Sequence, residues 1–268
     1  MKVICAENMG FCFGVKRALD MALKERNAYT LGQLIHNPQV VELLEKKGIK
    51  VVNSVDEADR TLIITAHGTS KSNILKARKK GLKIIDTTCP LVKRVQNLAR
   101  EFYEKGYNII LLGDREHSEV KGVVSNVDDA LVINSAKETK SLRFSKASVL
   151  SQTTQSLEKF NEIAAILKKN IPDLKVFNTI CDATKKRQDS AIKLAKKVDL
   201  MIVVGGYNSA NTKRLREICS KIVETKHIEK ADEIDDKWFN GRNLIGLTAG
   251  ASTPDWVINN VKEKIEKY

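Results

Sequence analysis

Short apolar runs and longer mixed stretches alternate along the whole chain. Runs such as Leu62 to Thr65 and Leu244 to Leu247 predict buried strands, because strands covered on both faces carry few polar residues. The stretches between them place their apolar residues on one side of a helix, which predicts amphipathic helices. Strands that alternate with helices indicate an α/β fold built on parallel sheets.

The same succession of elements occurs three times. In each repeat an apolar strand ends in a glycine, and a polar side chain follows four residues later. A later strand of each repeat ends in small polar residues. Each glycine and the polar residue that follows it are Gly32 and His36, Gly113 and His117, and Gly205 and Ser209. The small polar residues after the later strands lie at 67–70, 151–154 and 249–252.

This repetition predicts the architecture. We expect a pseudo-three-fold trefoil of three small α/β units, each with a mostly parallel four-stranded sheet, around a common centre. The units span 12–88, 89–180 and 181–268. The third lacks its closing strand, which residues 1–6 are expected to supply. Ligands of such folds lie beyond the carboxyl ends of the strands, where the polar landmarks occur.

Three of the five cysteines share a downstream signature. Cys12, Cys89 and Cys181 are each followed, four residues later, by lysine and then by lysine or arginine. Equivalent positions in three repeats favour an iron–sulfur cluster, since three cysteines on a cubane leave one iron open to substrate. A zinc site, which usually needs a fourth ligand, and unrelated buried or reactive cysteines are the alternatives. Cys5 and Cys219 lack the signature and are expected in the core.

Polar side chains at the strand ends suit an anionic ligand. Histidine, serine, asparagine and helix N-terminal N–H groups together form a cradle for phosphate, whereas plain helix capping is the alternative. His227 lies outside these loops and is expected to be structural. The candidate ligands of the anion are His36, His67, His117, Ser209, Asn211 and Ser252.

Glu119 follows His117 by two residues and is the candidate proton carrier. A carboxylate that faces a buried metal centre can move protons with the help of a hydroxyl such as Thr153 or Thr154. A solvated loop acid is the alternative interpretation.

Composition narrows the class of partner. The chain has 268 residues and a formal charge of +13, with 42% hydrophobic and only 5% aromatic residues. Few aromatics and scattered lysines argue against nucleic-acid binding, so an anionic small molecule is the expected partner. No apolar run is long enough to span a membrane, and the first residues lack a signal-peptide layout, which predicts a cytoplasmic protein with reduced cysteines.

Eight short motifs, taken in order, closely resemble the 4-hydroxy-3-methylbut-2-enyl diphosphate reductase family, which completes the methylerythritol phosphate route to isoprenoids. The resemblance spans residues 4 to about 256. The motifs are Gly10-Phe11-Cys12-x-Gly14-Val15, Ile35-His36-Asn37, Ala66-His67-Gly68, Thr88-Cys89-Pro90-Leu91-Val92, His117-x-Glu119-Val120, Gln152-Thr153-Thr154, Thr179-Ile180-Cys181-x-Ala183-Thr184-x-x-Arg187-Gln188 and Thr248-Ala249-Gly250-Ala251-Ser252.

The resemblance implies a function and a set of roles. A 4Fe–4S cluster would be held by Cys12, Cys89 and Cys181 at the centre of the trefoil. Reductive dehydroxylation of the allylic diphosphate would give isopentenyl and dimethylallyl diphosphate, with two electrons from a ferredoxin- or flavodoxin-type donor. A dehydratase that uses the open iron without electrons is the nearest rival. The implied catalytic residues are Glu119, Thr153 and His117, and the implied substrate ligands are His36, His67, His117, Thr153, Ser209, Asn211 and Ser252.

Two positions depart from the pattern of the family. Ala210 stands where a second serine is common, and Ser118 stands where a proline commonly follows the loop histidine. Both departures concern the expected diphosphate contacts, and neither affects the cysteines or Glu119.

Overall fold

Parallel strands and helices alternate throughout the computed structural model, which describes residues 1–268. Twelve strands form three four-stranded sheets. The strands are β1 (Lys2–Cys5), β2 (Ala28–Leu31), β3 (Ile49–Val52), β4 (Thr61–Ile64), β5 (Lys83–Asp86), β6 (Asn108–Leu112), β7 (Leu131–Ile133), β8 (Lys146–Ser151), β9 (Asp173–Val176), β10 (Leu200–Val204), β11 (Thr225–Ile228) and β12 (Leu244–Ala249).

Eight α-helices connect these strands, a ninth follows β12, and short 3₁₀ turns follow β3, β7 and β11. None of the helices combines the length and the apolar composition needed to cross a bilayer. The helices are α1 (Phe13–Ala22), α2 (Pro38–Lys46), α3 (Lys71–Lys79), α4 (Pro90–Glu104), α5 (Ser118–Val124), α6 (Leu157–Asn170), α7 (Asp182–Ala195), α8 (Ala210–Cys219) and α9 (Asp255–Glu266).

The three sheets share one strand order. They run β3-β2-β4-β5, β7-β6-β8-β9 and β11-β10-β12-β1, and every pairing is parallel. The predicted fold class, α/β with three four-stranded parallel sheets, is confirmed. β1 pairs with β12 with Lys2 opposite Leu244, so the first residues of the chain complete the third sheet.

The chain divides into two compact units. Unit 1 comprises Met1–Lys16, Ile35–Leu43 and Asp182–Tyr268 and contains the third sheet. Unit 2 comprises Arg17–Leu34 and Leu44–Cys181 and contains the first two sheets. The partition into three units at 12–88, 89–180 and 181–268 stays a prediction.

In unit 1, alternate residues of β10 enter two different cores. Leu200, Ile202 and Val204 pack with the apolar face of α9, whereas Met201 and Val203 pack with α7 and α8. The alternation follows from the two-residue period of a strand. A sheet covered on both faces explains why β10 is entirely apolar and entirely buried.

The second sheet, in unit 2, is covered in the same way. Ile110 and Leu112 of β6 pack with α6, while Ile109 and Leu111 pack with α4 and α5. The α4 and α5 helices thus lie on one face, and their N-termini carry candidate site residues. In the first sheet, Leu62 and Ile64 of β4 pack with α3.

Gly246 lies where a side chain would crowd the third sheet. An added Cβ would lie 2.3 Å from Sδ of Met201 and 3.0 Å from Cγ2 of Val198. Because closely packed strands and helices yield little, Gly246→Ala should lower the free energy of unfolding by about 1–3 kcal/mol in urea denaturation. Met201→Ala removes the crowded sulfur, so the double variant should lose less than the sum of the single variants; additive losses would contradict the explanation.

Candidate active site

Each signature cysteine immediately precedes a helix. Cys12, Cys89 and Cys181 come one residue before α1, α4 and α7. The main-chain N–H of Lys16 donates to the carbonyl of Cys12 at 2.9 Å, and that of Lys93 donates to the carbonyl of Cys89 at 3.0 Å. The lysine of the signature therefore lies one helical turn after the cysteine, which accounts for the constant spacing. Negative charge is stabilised at such helix starts.

A main-chain hydrogen bond holds each of these cysteines in the same way. In unit 2, the N–H of Cys89 donates to the carbonyl of Ala66 at 2.9 Å, and that of Cys181 donates to the carbonyl of Thr153 at 3.0 Å. In unit 1, the N–H of Cys12 donates to the carbonyl of Ala251 at 3.3 Å. The acceptors lie two residues after β4, β8 and β12, which are equivalent strands. The three repeats are thus alike even in the hydrogen bond that holds the cysteine.

The two cysteines without the signature differ from these three. Cys219 is fully buried in a core of unit 1, as predicted, and burial raises the pKa of its thiol to about 12. The prediction that Cys5 is in the core is wrong. Cys5 is exposed because β1 is the edge strand of the third sheet. None of the five cysteines forms a disulfide.

Glu119 and Thr153 form a buried pair in unit 2. The N–H of Thr153 donates to Oε1 of Glu119 at 2.7 Å, and its hydroxyl donates to Oε2 at 2.8 Å. Glu119 is only 2% exposed, and this burial raises the pKa of its carboxyl to about 7, although both hydrogen bonds act in the opposite direction. A carboxyl group with this pKa can give or take a proton near neutral pH.

His117 begins the helix that carries Glu119. It is the N-cap of α5, and its Nδ1 accepts the N–H of Glu119 at 3.2 Å. In the neutral ring Nδ1 is therefore unprotonated, so Nε2 carries the proton. The ring of His67, at the end of β4, meets the ring of His117 edge to face, with centroids 5.2 Å apart. Unit 2 thus brings His67, His117, Glu119 and Thr153 together.

Serine hydroxyls join three segments of unit 1. Ser209 is the N-cap of α8, and Ser252 follows β12. The hydroxyl of Ser252 lies 3.1 Å from the carbonyl oxygen of His36 and 3.3 Å from the hydroxyl of Ser209. The main chain of Gly206 also approaches this carbonyl, since an added Cβ would lie 2.4 Å from it. Unit 1 thus brings together His36, Ser209 and Ser252.

Asn211 provides an unused donor in the same unit. Its Oδ1 accepts the N–H of Ala251 at 2.9 Å, whereas its buried Nδ2 has no hydrogen-bond partner. A buried donor without a partner is costly, which is characteristic of a site that binds a ligand. Burial lowers the pKa of His36, and the nearby Lys213 lowers it further, so both disfavour the charged form of the ring.

Asn37 is a candidate site residue that the sequence did not reveal. It is fully buried, its Oδ1 accepts the N–H of Val40 at 3.0 Å, and its Nδ2 lacks a partner. An asparagine before a helix is commonly only a cap, so the sequence signal was ambiguous. His227 lies in β11, where its Nε2 is 2.8 Å from the carbonyl oxygen of Gly205, consistent with a structural role.

Comparison with known proteins identifies the family of the chain. The model of the LytB protein family matches residues 3–266. The chain belongs to this family.

LytB relatives cover almost the whole chain. The protein of Caldanaerobacter subterraneus subsp. tengcongensis, named 4-hydroxy-3-methylbut-2-enyl diphosphate reductase, is 49% identical, over 99% of this chain and 97% of the relative. A relative of the same name from Pelobacter propionicus is 45% identical over 99% and 98%.

Solved structures of LytB relatives share the fold. The E-1-hydroxy-2-methyl-but-2-enyl-4-diphosphate reductase from Plasmodium falciparum has a TM-score of 0.93 at 30% identity, over 97% of this chain and 86% of that one. A structure of (E)-4-hydroxy-3-methyl-but-2-enyl diphosphate reductase, described as the terminal enzyme of the non-mevalonate pathway, has a TM-score of 0.71 at 40% identity, over 99% of both chains.

Ala210 and Ser118, the two positions expected to depart from the family pattern, lie at helix starts. Ala210 is the first residue of α8, between Ser209 and Asn211, so a hydroxyl is absent beside two candidate ligands. Ser118 is the first residue of α5, and its buried hydroxyl has no hydrogen-bond partner.

The raised pKa of Glu119 predicts how stability depends on pH. The folded state favours the protonated carboxyl, so this contribution is fully present below the ordinary pKa of 4.5 and is lost as the pH rises through about 7. Relative to Glu119→Gln, which cannot ionise, the wild type should lose roughly 3 kcal/mol between pH 4.5 and pH 8, since one pKa unit corresponds to about 1.4 kcal/mol. Urea denaturation across this range measures the difference. Parallel pH curves for the two proteins would contradict the raised pKa.

Proposed function

We propose that this LytB-family protein is a reductase that converts 4-hydroxy-3-methylbut-2-enyl diphosphate into isopentenyl and dimethylallyl diphosphate. The observation that carries the proposal is a chain of contacts in unit 2. Glu119, with a pKa of about 7, is hydrogen-bonded to Thr153, and the carbonyl of Thr153 accepts the N–H of Cys181. A proton donor is therefore linked through Thr153 to a proposed cluster ligand. The names of the relatives support the same reaction.

Cys12, Cys89 and Cys181 are the proposed ligands of a 4Fe–4S cluster. The donor set fits, because all three are partly exposed cysteines at helix starts, and none is used in a disulfide. When bound, a cluster with three cysteine ligands supplies an open iron as a Lewis acid and a route for electrons. The two electrons would come from a ferredoxin- or flavodoxin-type protein.

The diphosphate would be bound by imidazole, amide and hydroxyl donors. We assign this role to Nε2–H groups of histidines, to the unused Nδ2 of Asn211, and to the hydroxyls of Ser209 and Ser252 at the start of α8 and the end of β12. Helix N-termini and hydroxyls suit phosphate oxygens, and the charge of +13 attracts the anion. Ala210 adds no hydroxyl to this set. The proposed histidines are His36, His67 and His117.

Glu119 and Thr153 would deliver the proton to the leaving group. The reaction breaks the C4–O bond, forms one C–H bond, releases water, and consumes two electrons and two protons. The hydroxyl of Thr153 can pass a proton from Glu119 to the substrate hydroxyl, so that water rather than hydroxide leaves. Protonation of the allyl fragment at either end accounts for two products.

Anaerobic purification of the full chain tests the cofactor and the reaction. The wild type should contain iron and sulfide in equal amounts, about four of each per chain, and should form both products only when a reductant such as dithionite with methyl viologen is present. Cys12→Ser, Cys89→Ser and Cys181→Ser should each lose the cluster and the activity. Cys5→Ser is the matched control, because Cys5 is exposed and lacks the signature, and it should retain both.

The alternatives give different results in this experiment. Loss of water from the substrate without a reductant, with formation of neither isopentenyl nor dimethylallyl diphosphate, would indicate a dehydratase that uses the open iron only as a Lewis acid. A colourless protein that contains zinc and no sulfide would indicate a structural metal site and would exclude the proposed reaction.

Glu119→Gln tests proton delivery. Since the amide cannot donate a carboxyl proton, kcat should fall by about 100-fold or more, while the dissociation constant of the substrate changes little. In the wild type, kcat should decline as the pH rises above about 7, because Glu119 loses its proton. Glu116→Gln is the control and should leave kcat unchanged, because Glu116 is an exposed acid just before α5 that pairs with Lys121. Wild-type turnover in Glu119→Gln would exclude the assigned role.

A further inference from the structure

The loop that carries Cys12 is fastened to β12 by its main chain. This segment, residues Ala6–Cys12, is called the Cys12 loop. Three of its N–H groups donate to alternate carbonyls at and beyond the carboxyl end of β12. These hydrogen bonds position one side of the loop. The bonds are Ala6 to Leu247 at 2.8 Å, Gly10 to Ala249 at 3.4 Å and Cys12 to Ala251 at 3.3 Å.

On its other side the Cys12 loop is held by side chains of α7. The guanidinium of Arg187 donates through Nη2 to the carbonyl of Gly10 at 2.8 Å and through Nη1 to the carbonyl of Ala183 at 2.8 Å. The hydroxyl of Ser190, one turn further along, accepts the N–H of Asn8 at 3.1 Å. Both contacts join residues that are far apart in sequence but lie within unit 1.

Arg187 is an unusual group for this position. It is only 5% exposed, and a buried charge is costly unless hydrogen bonds compensate for it. Both acceptors, the carbonyls of Ala183 and Gly10, belong to the main chain. The planar guanidinium therefore connects the backbone of α7 to the backbone of the Cys12 loop. Hydrogen bonds from a charged donor are stronger than neutral ones, which makes this a rigid connection.

Both the N–H and the carbonyl of Gly10 form hydrogen bonds. Its N–H bonds to Ala249 and its carbonyl to Arg187, while its φ of +74° is a conformation that suits glycine. An added Cβ would lie 3.0 Å from Cδ1 of Ile258, so the loop also packs closely against α9. The carbonyl of Gly10, two residues before Cys12, is therefore held by Arg187, while the other contacts hold the rest of the residue.

We propose that Arg187 is a positioning residue, which holds the Cys12 loop in the conformation that presents Cys12 as a metal ligand. The inference rests on the proposed function, in which Cys12 is a cluster ligand. Groups that orient metal ligands typically contribute about 10- to 100-fold to metal affinity. Asn8 and Ser190 support the same loop through a weaker, neutral hydrogen bond.

Hydrogen exchange of the full-length, anaerobically purified chain tests the positioning directly. In Arg187→Met, the amides of Gly10 and Cys12 should exchange at least about tenfold faster, because a hydrogen bond from a charged donor is lost. Arg187→Lys keeps the charge but lacks the planar guanidinium, so it should restore part of the protection of these amides from exchange. If Arg187→Met does not fold, the same comparison is made between Arg187→Lys and the wild type.

Arg242→Met is the matched control. Arg242 is a partly buried arginine of unit 1 that pairs with Glu224 near the amino end of β12, away from the Cys12 loop. It should leave exchange at Gly10 and Cys12 unchanged. Wild-type exchange at these amides in folded Arg187→Met, or a uniform increase across unit 1 that matches the one in Arg242→Met, would overturn the proposal.

Cluster retention provides the second measurement. With an iron chelator present, Arg187→Met should release iron about 10- to 100-fold faster than the wild type, Arg187→Lys at an intermediate rate, and Arg242→Met at the wild-type rate. Equal rates in all four proteins would overturn the role of Arg187 toward the cluster. If the wild type holds no iron and sulfide, the proposed function fails, whereas the exchange measurement still decides whether Arg187 positions the loop.

Discussion

The main-chain hydrogen bond between each signature cysteine and the loop beyond a central strand is the constraint on which the candidate site depends. The acceptors Ala66, Thr153 and Ala251 all lie two residues after an equivalent strand of a parallel sheet. The carboxyl ends of parallel strands lie at one edge of the sheet. A helix tied to the residues just beyond that edge therefore begins at a fixed position relative to it. Repeated three times, this geometry gives each cysteine the same local surroundings.

Burial determines what the acid of the site can do. Glu119 follows a helix cap and lies within a sheet-and-helix layer, where water is excluded and the charged form of the carboxyl is disfavoured. Two hydrogen bonds from Thr153 orient it without forcing it to ionise. Thr153 also accepts the N–H of Cys181, so a single residue connects the acid to a cysteine of the site.

In unit 1, in contrast, some buried polar groups lack hydrogen-bond partners. Ser209 and Ser252 are tied to each other and to the carbonyl of His36, but the amide nitrogens of Asn37 and Asn211 are buried without partners. A folded protein tolerates such donors where a ligand with several acceptor oxygens completes their hydrogen bonds. The arrangement supports the proposed binding of an anion, and Ala210 adds no hydroxyl to it.

The sequence by itself determined the repeating elements and the completion of the third sheet by the first strand, and it singled out the candidate cysteines and loop residues. These follow from local periods and spacings, such as the lysine one helical turn after each signature cysteine. The tertiary structure alone decided the raised pKa of Glu119, the exposure of Cys5 on an edge strand, and the bond from Arg187 to Gly10, 177 residues away. Burial and long-range contacts depend on how distant segments pack, and no pattern along the chain records that packing.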